Sequence, residues 1–193
     1  MSRAGFRLDL DRCTGCGACV LACRIEHGRL EGPAWRRLVV FNRGRWPAGP
    51  VWQLSLACHH CERPACVEAC PSQAYHIRAD GAVILDPARC LGCRYCEMAC
   101  PFDAPAWDEA AGVMTKCDFC ADRTTLGLEP ACVTACPMDA LGVLDEAGRE
   151  AGEPEYVPGF TDPADCRPNL RLIPPAGGLR GERRRRLQEL LGP

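Results

Sequence analysis

The sequence is poor in the features that most often announce a function. Aromatic residues make up 6% of its 193 residues, so a core built on ring packing would be modest. No stretch approaches the 18 apolar residues of a membrane-spanning helix, and the longest strand-like pieces are only RRLVVF and VWQLSL. The formal net charge is −2, which offers no bulk attraction for nucleic acid. The opening MSRAGFRLDLDRC has no apolar h-region, no twin arginine and no small-residue cleavage site, which predicts no signal peptide of its own. A nucleophile with its base, a paired acid and base, and a phosphate-cradling loop are all missing. Catalysis is therefore expected on another chain. Lysine is almost absent: Lys116 stands alone among 23 basic residues. Cysteine is the opposite case, with 17 residues, a density at which disulfide scaffolds, zinc modules and iron–sulfur proteins compete. A chain made in a reducing compartment uses such cysteines for metal rather than for disulfides.

Sixteen of the cysteines fall into four groups of four. Cys13, Cys16, Cys19 and Cys23 are spaced C-x2-C-x2-C-x3-C, and Cys58, Cys61, Cys66 and Cys70 are spaced C-x2-C-x4-C-x3-C-P. Cys90, Cys93, Cys96 and Cys100 repeat the first spacing with a final proline, and Cys117, Cys120, Cys132 and Cys136 carry an insertion, C-x2-C-x11-C-x3-C-P. The run C-x2-C-x2-C-x3-C-P is the ferredoxin-type signature, in which three thiolates hold one cluster and the fourth holds its neighbour. Structural zinc needs only two separated C-x2-C knuckles closing one tetrahedron, so the triple-cysteine loops and three C-P endings favour iron–sulfur. Gly15, Gly17 and Gly92 lie inside the wrapping loops, where a left-handed backbone costs glycine little.

Aligning on cysteine exposes an internal repeat. LDLDRCTGCGACVLAC (8–23) matches LDPARCLGCRYCEMAC (85–100), and CPSQA, CPFDA and CPMDA close three of the groups. AYHIRADGAVILD, between groups two and three, predicts a hairpin turning at Asp80-Gly81. Groups two and three then make one two-cluster unit over residues 57–107. Groups one and four make a second, over 1–56 and 108–149, into which the first is inserted, and residues 24–56 supply a hairpin insertion. Trp35, Trp46 and Trp52 of that insertion are expected to pack or to face a partner. Residues 150–193, rich in proline and glycine, predict an extended arm ending in a basic amphipathic stretch around Arg183 to Arg186. That basic end suits either anionic lipid or an acidic groove on a partner.

The four groups in this order, with x4 in the second and a long gap in the fourth, resemble the iron–sulfur electron-transfer subunits of the complex iron–sulfur molybdoenzymes. These include dimethyl sulfoxide reductase, polysulfide reductase and formate-dependent nitrite reductase systems. The resemblance covers residues ~6 to 145. It implies an α+β, double ferredoxin-like fold with four [4Fe–4S] clusters in a line. It also implies their ligands: Cys13, Cys16, Cys19 and Cys136 for the first; Cys117, Cys120, Cys132 and Cys23 for the second; Cys58, Cys61, Cys66 and Cys100 for the third; Cys90, Cys93, Cys96 and Cys70 for the fourth. Some relatives carry tryptophan where Cys93 stands and hold a three-iron cluster, so Cys93 implies a full cube. The chain departs from the pattern at Cys23, which is followed by Arg24 instead of proline. In the family one end faces a molybdopterin-containing catalytic subunit and the other an integral membrane subunit that handles quinone. The implied place is peripheral to the cytoplasmic membrane, on its periplasmic side by co-export with a twin-arginine partner or on its cytoplasmic side. A relay subunit for a hydrogenase, formate dehydrogenase or other dehydrogenase is the alternative, and a zinc-stapled interaction module the remote one.

Four cubes with thiolate ligands would add about −8 of formal charge, which calls for N–H donors and cations nearby. Lys116, Arg94, Arg12, Arg24 and Arg89 each adjoin or nearly adjoin a cysteine of the four groups and are the candidates for tuning cluster potentials. The competing expectation for each is a solvated surface cation. His59 and His60 lie between Cys58 and Cys61, where a full cysteine set makes histidine ligation superfluous. They are expected beside a cluster or at an interface. His27 and His76 have no constellation around them in sequence and are expected to be ordinary residues. Tyr95 suits a docking face or plain packing, and Cys166, alone in the arm, is expected to be a free structural thiol.

Overall fold

The computed structural model describes residues 4–41, 51–144 and 165–173. Nine short strands and five short helices alternate along them. The strands are β1 Phe6–Asp9, β2 Arg37–Phe41, β3 Trp52–Leu56, β4 Tyr75–Ile77, β5 Val83–Leu85, β6 Ala106–Asp108, β7 Val113–Thr115, β8 Leu141–Val143 and β9 Leu170–Ile173. The helices are α1 Ala18–Glu26, α2 Ala65–Glu68, α3 Tyr95–Ala99, α4 Ala121–Thr125 and α5 Ala131–Thr134. The mixed helix and strand content agrees with the expected α+β class. Among the described residues no helix is long and apolar enough to cross a membrane.

Period-two burial organises the strands. Phe6 and Leu8 of β1 and Leu170 and Leu172 of β9 are buried, while Arg7 and Arg171 between them are not. β1 is the middle of a three-stranded sheet, antiparallel to β8 and parallel to β9, with Leu8 opposite Leu141 on one side and Leu172 on the other. The parallel pairing requires close approach at Gly5, where a Cβ would lie 2.6 Å from the Asn169 carbonyl oxygen. The remaining strands are hairpins: β2 with β3, β4 with β5, and β6 with β7. The first is the predicted insertion hairpin. The second turns where predicted: Gly81 takes φ 81°, and the Asp80 carboxylate accepts from Ala82 N–H at 3.0 Å and pairs with Arg78. Residues 165–173, with β9, belong to the predicted arm; residues 150–164 and 174–193, with the basic end, and Trp46 lie outside the described residues.

The repeats in sequence are repeats in backbone. PACVEACP (64–71) and PACVTACP (130–137) place α2 and α5 directly after a proline, whose fixed φ and missing N–H suit a helix start. Both helices then stop at the Cys-Pro that follows. After each Cys-Pro the chain makes one turn: Gln73, Asp103 and Asp139 sit at φ 51°, 49° and 46°. Each of these donates its N–H to the carbonyl of Cys70, Cys100 or Cys136, and buried Ala74, Ala104 or Ala140 follows. Group one lacks the proline, and α1 accordingly runs through Cys23 to Glu26. α1 packs on α5 and α2 packs on α3. The larger core gathers Phe6, Leu8, Leu54, Phe119 and Leu141, and a smaller one gathers Tyr75, Val83 and Met114.

Candidate metal centres

Two cavities are lined by sulfur. One is bordered by Cys13, Cys16, Cys19 and Cys136. The other is bordered by Cys58, Cys61, Cys66 and Cys100, with ungrouped Cys166 beside them. Each brings three cysteines of one group together with the last cysteine of another. Cysteines of different groups also meet in the electrostatics of Cys23, Cys120 and Cys96. Burial, then the charge of Cys132, pushes the Cys23 thiol up to about 11. Cys120 is pushed up to about 12 by burial, with Cys132 and Cys23 among its charged neighbours. The Cys96 thiol is raised by burial, and the charges of Cys90 and Cys70 act in the same direction.

Burial likewise raises Cys66 to about 12 and holds Cys61 and Cys117 well above the ordinary thiol range. Thiolates buried together repel one another and lack solvent, so they need a positive centre, and binding metal displaces their protons. Backbone donors meet several sulfurs: Ala74 N–H reaches Cys70 Sγ at 3.3 Å and Met114 N–H reaches Cys90 Sγ at 3.4 Å.

Arg36 carries the strongest sign that anionic groups belong here. Its side chain is 1% exposed, lies over the Phe6 ring at 4.4 Å, and donates through Nη1 to Ser55 O and Oγ. Its Nε and Nη2 have no hydrogen-bond partner among the described residues. The charges of Cys132, Cys117, Cys19 and Cys23 favour its cationic form against the burial that opposes it. A permanent cation with two orphaned donors among four thiols fits anionic iron–sulfur groups. Sequence reasoning missed it, because Arg36 is far along the sequence from every cysteine.

The five cations singled out in sequence divide sharply. Lys116 is buried, 3% exposed, and its Nζ donates to the carbonyls of Val83 and Cys117. Arg94 is exposed and paired with Glu97 at 2.7 Å. Arg12 reaches Asp139 at 3.2 Å on the surface, and Arg89 reaches the Ser72 carbonyl at 3.5 Å. Arg24 turns to the carbonyls of Arg29, Leu30 and Gly32, closing the loop after α1.

His27 is not the ordinary residue expected: its Nε2 lies 3.3 Å from Cys120 Sγ and 3.8 Å from Asp118 Oδ1, because α1 ends beside the loop of Cys117 and Cys120. These three ligand-type side chains form one cluster. His76 is exposed, as is Tyr95. His59 and His60 are fully buried, His59 against Phe102 with ring centroids 4.1 Å apart. Burial, then the charges of Arg36 and Arg37, lowers His59 to about 3. Trp35 packs on His27 and donates to Thr115 Oγ1 at 2.7 Å, and Trp52 stacks on Phe41. Cys166 is buried and borders the cavity of Cys58 and Cys61.

Comparison with known proteins agrees with this chemistry. A 4Fe-4S dicluster domain model matches residues 51–146, and a 4Fe-4S binding domain model matches residues 4–24. The protein is 42% identical over 182 residues to a chain of the anaerobic dimethyl sulfoxide reductase of Escherichia coli (strain K12), covering 89% of each. It is 36% identical to a putative dimethyl sulfoxide reductase iron–sulfur subunit of Halobacterium salinarum, covering 76% of this sequence and 68% of that one. It is 41% identical to a thiosulfate reductase electron transfer subunit of Salmonella typhi, covering 72% and 75%. With sixteen grouped cysteines and relatives matched over most of their length, this protein belongs to the family of [4Fe–4S] electron-transfer subunits of the complex iron–sulfur molybdoenzymes, in which its relative from anaerobic dimethyl sulfoxide reductase also falls.

Proposed function

We propose that this protein is a non-catalytic relay that holds four [4Fe–4S] clusters between a molybdopterin-containing catalytic subunit and an integral membrane quinone-reactive subunit. Cys13, Cys16, Cys19 and Cys136 hold the first cluster, and Cys117, Cys120, Cys132 and Cys23 the second. Cys58, Cys61, Cys66 and Cys100 hold the third, and Cys90, Cys93, Cys96 and Cys70 the fourth. Residues 57–107 form a two-cluster unit inserted into another made of 1–56 and 108–149, with 150–193 as an arm. The observation that carries this reading is the lining of the two sulfur-lined cavities, each with three cysteines of one group and one of another, joined in the second by ungrouped Cys166. The packing of α1 on α5 and of α2 on α3 supports the same pairing of groups.

The clusters supply one-electron chemistry over a range of roughly −700 to +450 mV, set by charge, hydrogen bonds and exposure. The protein's own residues do the rest. Buried Arg36 and Lys116 offset negative charge, backbone N–H groups bond to cysteine sulfur, and Leu8, Leu54 and Leu141 keep water out. The names of the relatives point to a catalytic partner of the dimethyl sulfoxide or thiosulfate reductase kind. Attachment to the membrane is peripheral, through the partner.

Anaerobic purification with co-purifying proteins tests the reading. About 16 iron atoms per relay subunit and molybdenum in the complex are expected. A colourless, zinc-containing protein, or a complex without molybdenum, overturns it. Cys136→Ser is expected to disturb the cluster signal of the Cys13 set, and Cys100→Ser that of the Cys58 set.

A further inference from the structure

His60 occupies the junction between the second and third ligand sets, and its hydrogen bonds assign its tautomer. The ring is completely buried, edge-on to Phe119 at 5.4 Å between centroids and tilted against Phe6 at 6.5 Å. Its Nδ1 accepts the Val83 N–H at 3.0 Å, so Nδ1 carries no proton and the ring proton resides on Nε2. That nitrogen lies 3.8 Å from Cys117 Sγ, within reach of a long N–H···S bond. The backbone of His60 meanwhile belongs to the loop of Cys58 and Cys61: its N–H faces Cys58 Sγ at 3.5 Å, and its φ of 45° is left-handed. Lys116 closes the arrangement by donating to the carbonyls of the same Val83 and the same Cys117. Val83, His60, Cys117 and Lys116 thus form one polar ring inside an apolar core, joining the loop of one ligand set to a sulfur of the next.

We propose that His60 is a positioning residue that couples the second and third cluster sites, donating Nε2–H to the Cys117 sulfur while its backbone shapes the Cys58–Cys61 loop. The inference rests on the proposed ligation by Cys117 and adds a residue to it. Negative charge on a ligating sulfur grows when its cluster is reduced, so an N–H directed at that sulfur favours the reduced state. His60 therefore raises the potential of the second cluster relative to an otherwise identical site without the donor.

The test is an EPR-monitored redox titration of the anaerobically purified complex, with iron determined in parallel. His60→Asn keeps an acceptor for Val83 N–H but cannot reach Cys117, and His60→Gln reaches Cys117 but loses that acceptor. His60→Asn is expected to retain full iron and to weaken one cluster's preference for the reduced state about tenfold, a fall of about 59 mV for one electron. His60→Gln is expected to recover most of that shift. Full iron with every midpoint unchanged in His60→Asn overturns the proposal. A second readout leaves His60 intact: ¹⁵N-histidine-labelled protein carrying His27→Gln is examined by pulsed EPR. A histidine ¹⁵N coupling is expected on the reduced signal that Cys117→Ser alters, and its absence overturns the proposal. If Cys117→Ser alters no cluster signal, the ligand assignment itself falls, a result distinct from an intact assignment with no effect of His60.

Discussion

Gly5→Ala should loosen the Cys58–Cys61 loop from more than fifty residues away in sequence. The added Cβ would lie 2.6 Å from the Asn169 carbonyl oxygen and 2.8 Å from Asn169 Cβ, where ordinary contact begins near 3.4 Å. Both neighbours are fixed, one as backbone and one as the first side-chain atom, so the segment 165–173 must retreat by about 0.8 Å. That segment is tied by Phe6 N–H to Asn169 O at 2.9 Å and by Asn169 N–H to His59 O at 3.0 Å. It is also tied by Glu62 N–H to Arg167 O at 2.9 Å and by Arg63 N–H to Cys166 O at 3.1 Å. At about 1 kcal/mol each, losing these four bonds alone would cost about 4 kcal/mol. Overpacking that relaxes partly costs about 1–3 kcal/mol. A loss of about 3 kcal/mol lowers the melting temperature of a protein this size by roughly 6–12 °C. The assay is thermal loss of the visible iron–sulfur absorbance, with hydrogen exchange of the amides at 59–63. Gly32→Ala, whose Cβ would meet only the Arg29 side chain at 3.6 Å or more, is the control and should melt like the parent. If Gly5→Ala melts with the control and residues 59–63 keep their protection, the bracing of that loop by residues 166–169 is refuted.

Three further outcomes are expected. Arg36→Met should lower the potential of the cluster proposed at Cys23, Cys117 and Cys132. Removing a buried unit charge at an effective dielectric near 20 is worth on the order of 1–2 kcal/mol, about 40–90 mV for one electron. Redox titration checks it, and Arg36→Lys should recover part of the shift. Lys116→Met should lower a midpoint by a comparable amount because Lys116 is buried, whereas Arg94→Ser should leave every midpoint within error because Arg94 is exposed, paired and screened. Asp80→Asn should cost about 1 kcal/mol near neutral pH. Burial pushes the Asp80 carboxyl up, but the bonds from Arg78 and Ala82 N–H outweigh it and hold it below the usual carboxylate range. Its contribution is therefore full above that range and lost as pH falls through the depressed folded value. Acid unfolding curves of Asp80→Asn should be shallower on that limb.

The cysteine grammar was legible because a cluster site is written in short spacings, and short spacings survive whatever the rest of the sequence does. The Asp80-Gly81 hairpin was legible for the same local reason, a glycine that alone takes φ 81° without cost. What sequence could not reveal was direction. Adjacency to cysteine singled out Arg24 and Lys116 alike, yet one guanidinium turns to the carbonyls after α1 and the one ammonium is sealed inside. Arg36 and His27 reach thiols through folding, from a hairpin insertion and a helix end, and carry no local mark. The partnership of β1 with β9 joins Phe6 to Leu170, a contact that no periodicity in either strand announces.

That parallel partnership also sets a timetable. All sixteen grouped cysteines leave the ribosome before residue 165 does, so the nascent polypeptide displays the Cys58–Cys61 loop with its brace still missing. At about 5–20 residues per second, the ~37 residues from Cys136 to Ile173 take roughly 2–7 s to follow. During those seconds residues 59–63 lack the backbone bonds that Cys166, Arg167 and Asn169 later make to them.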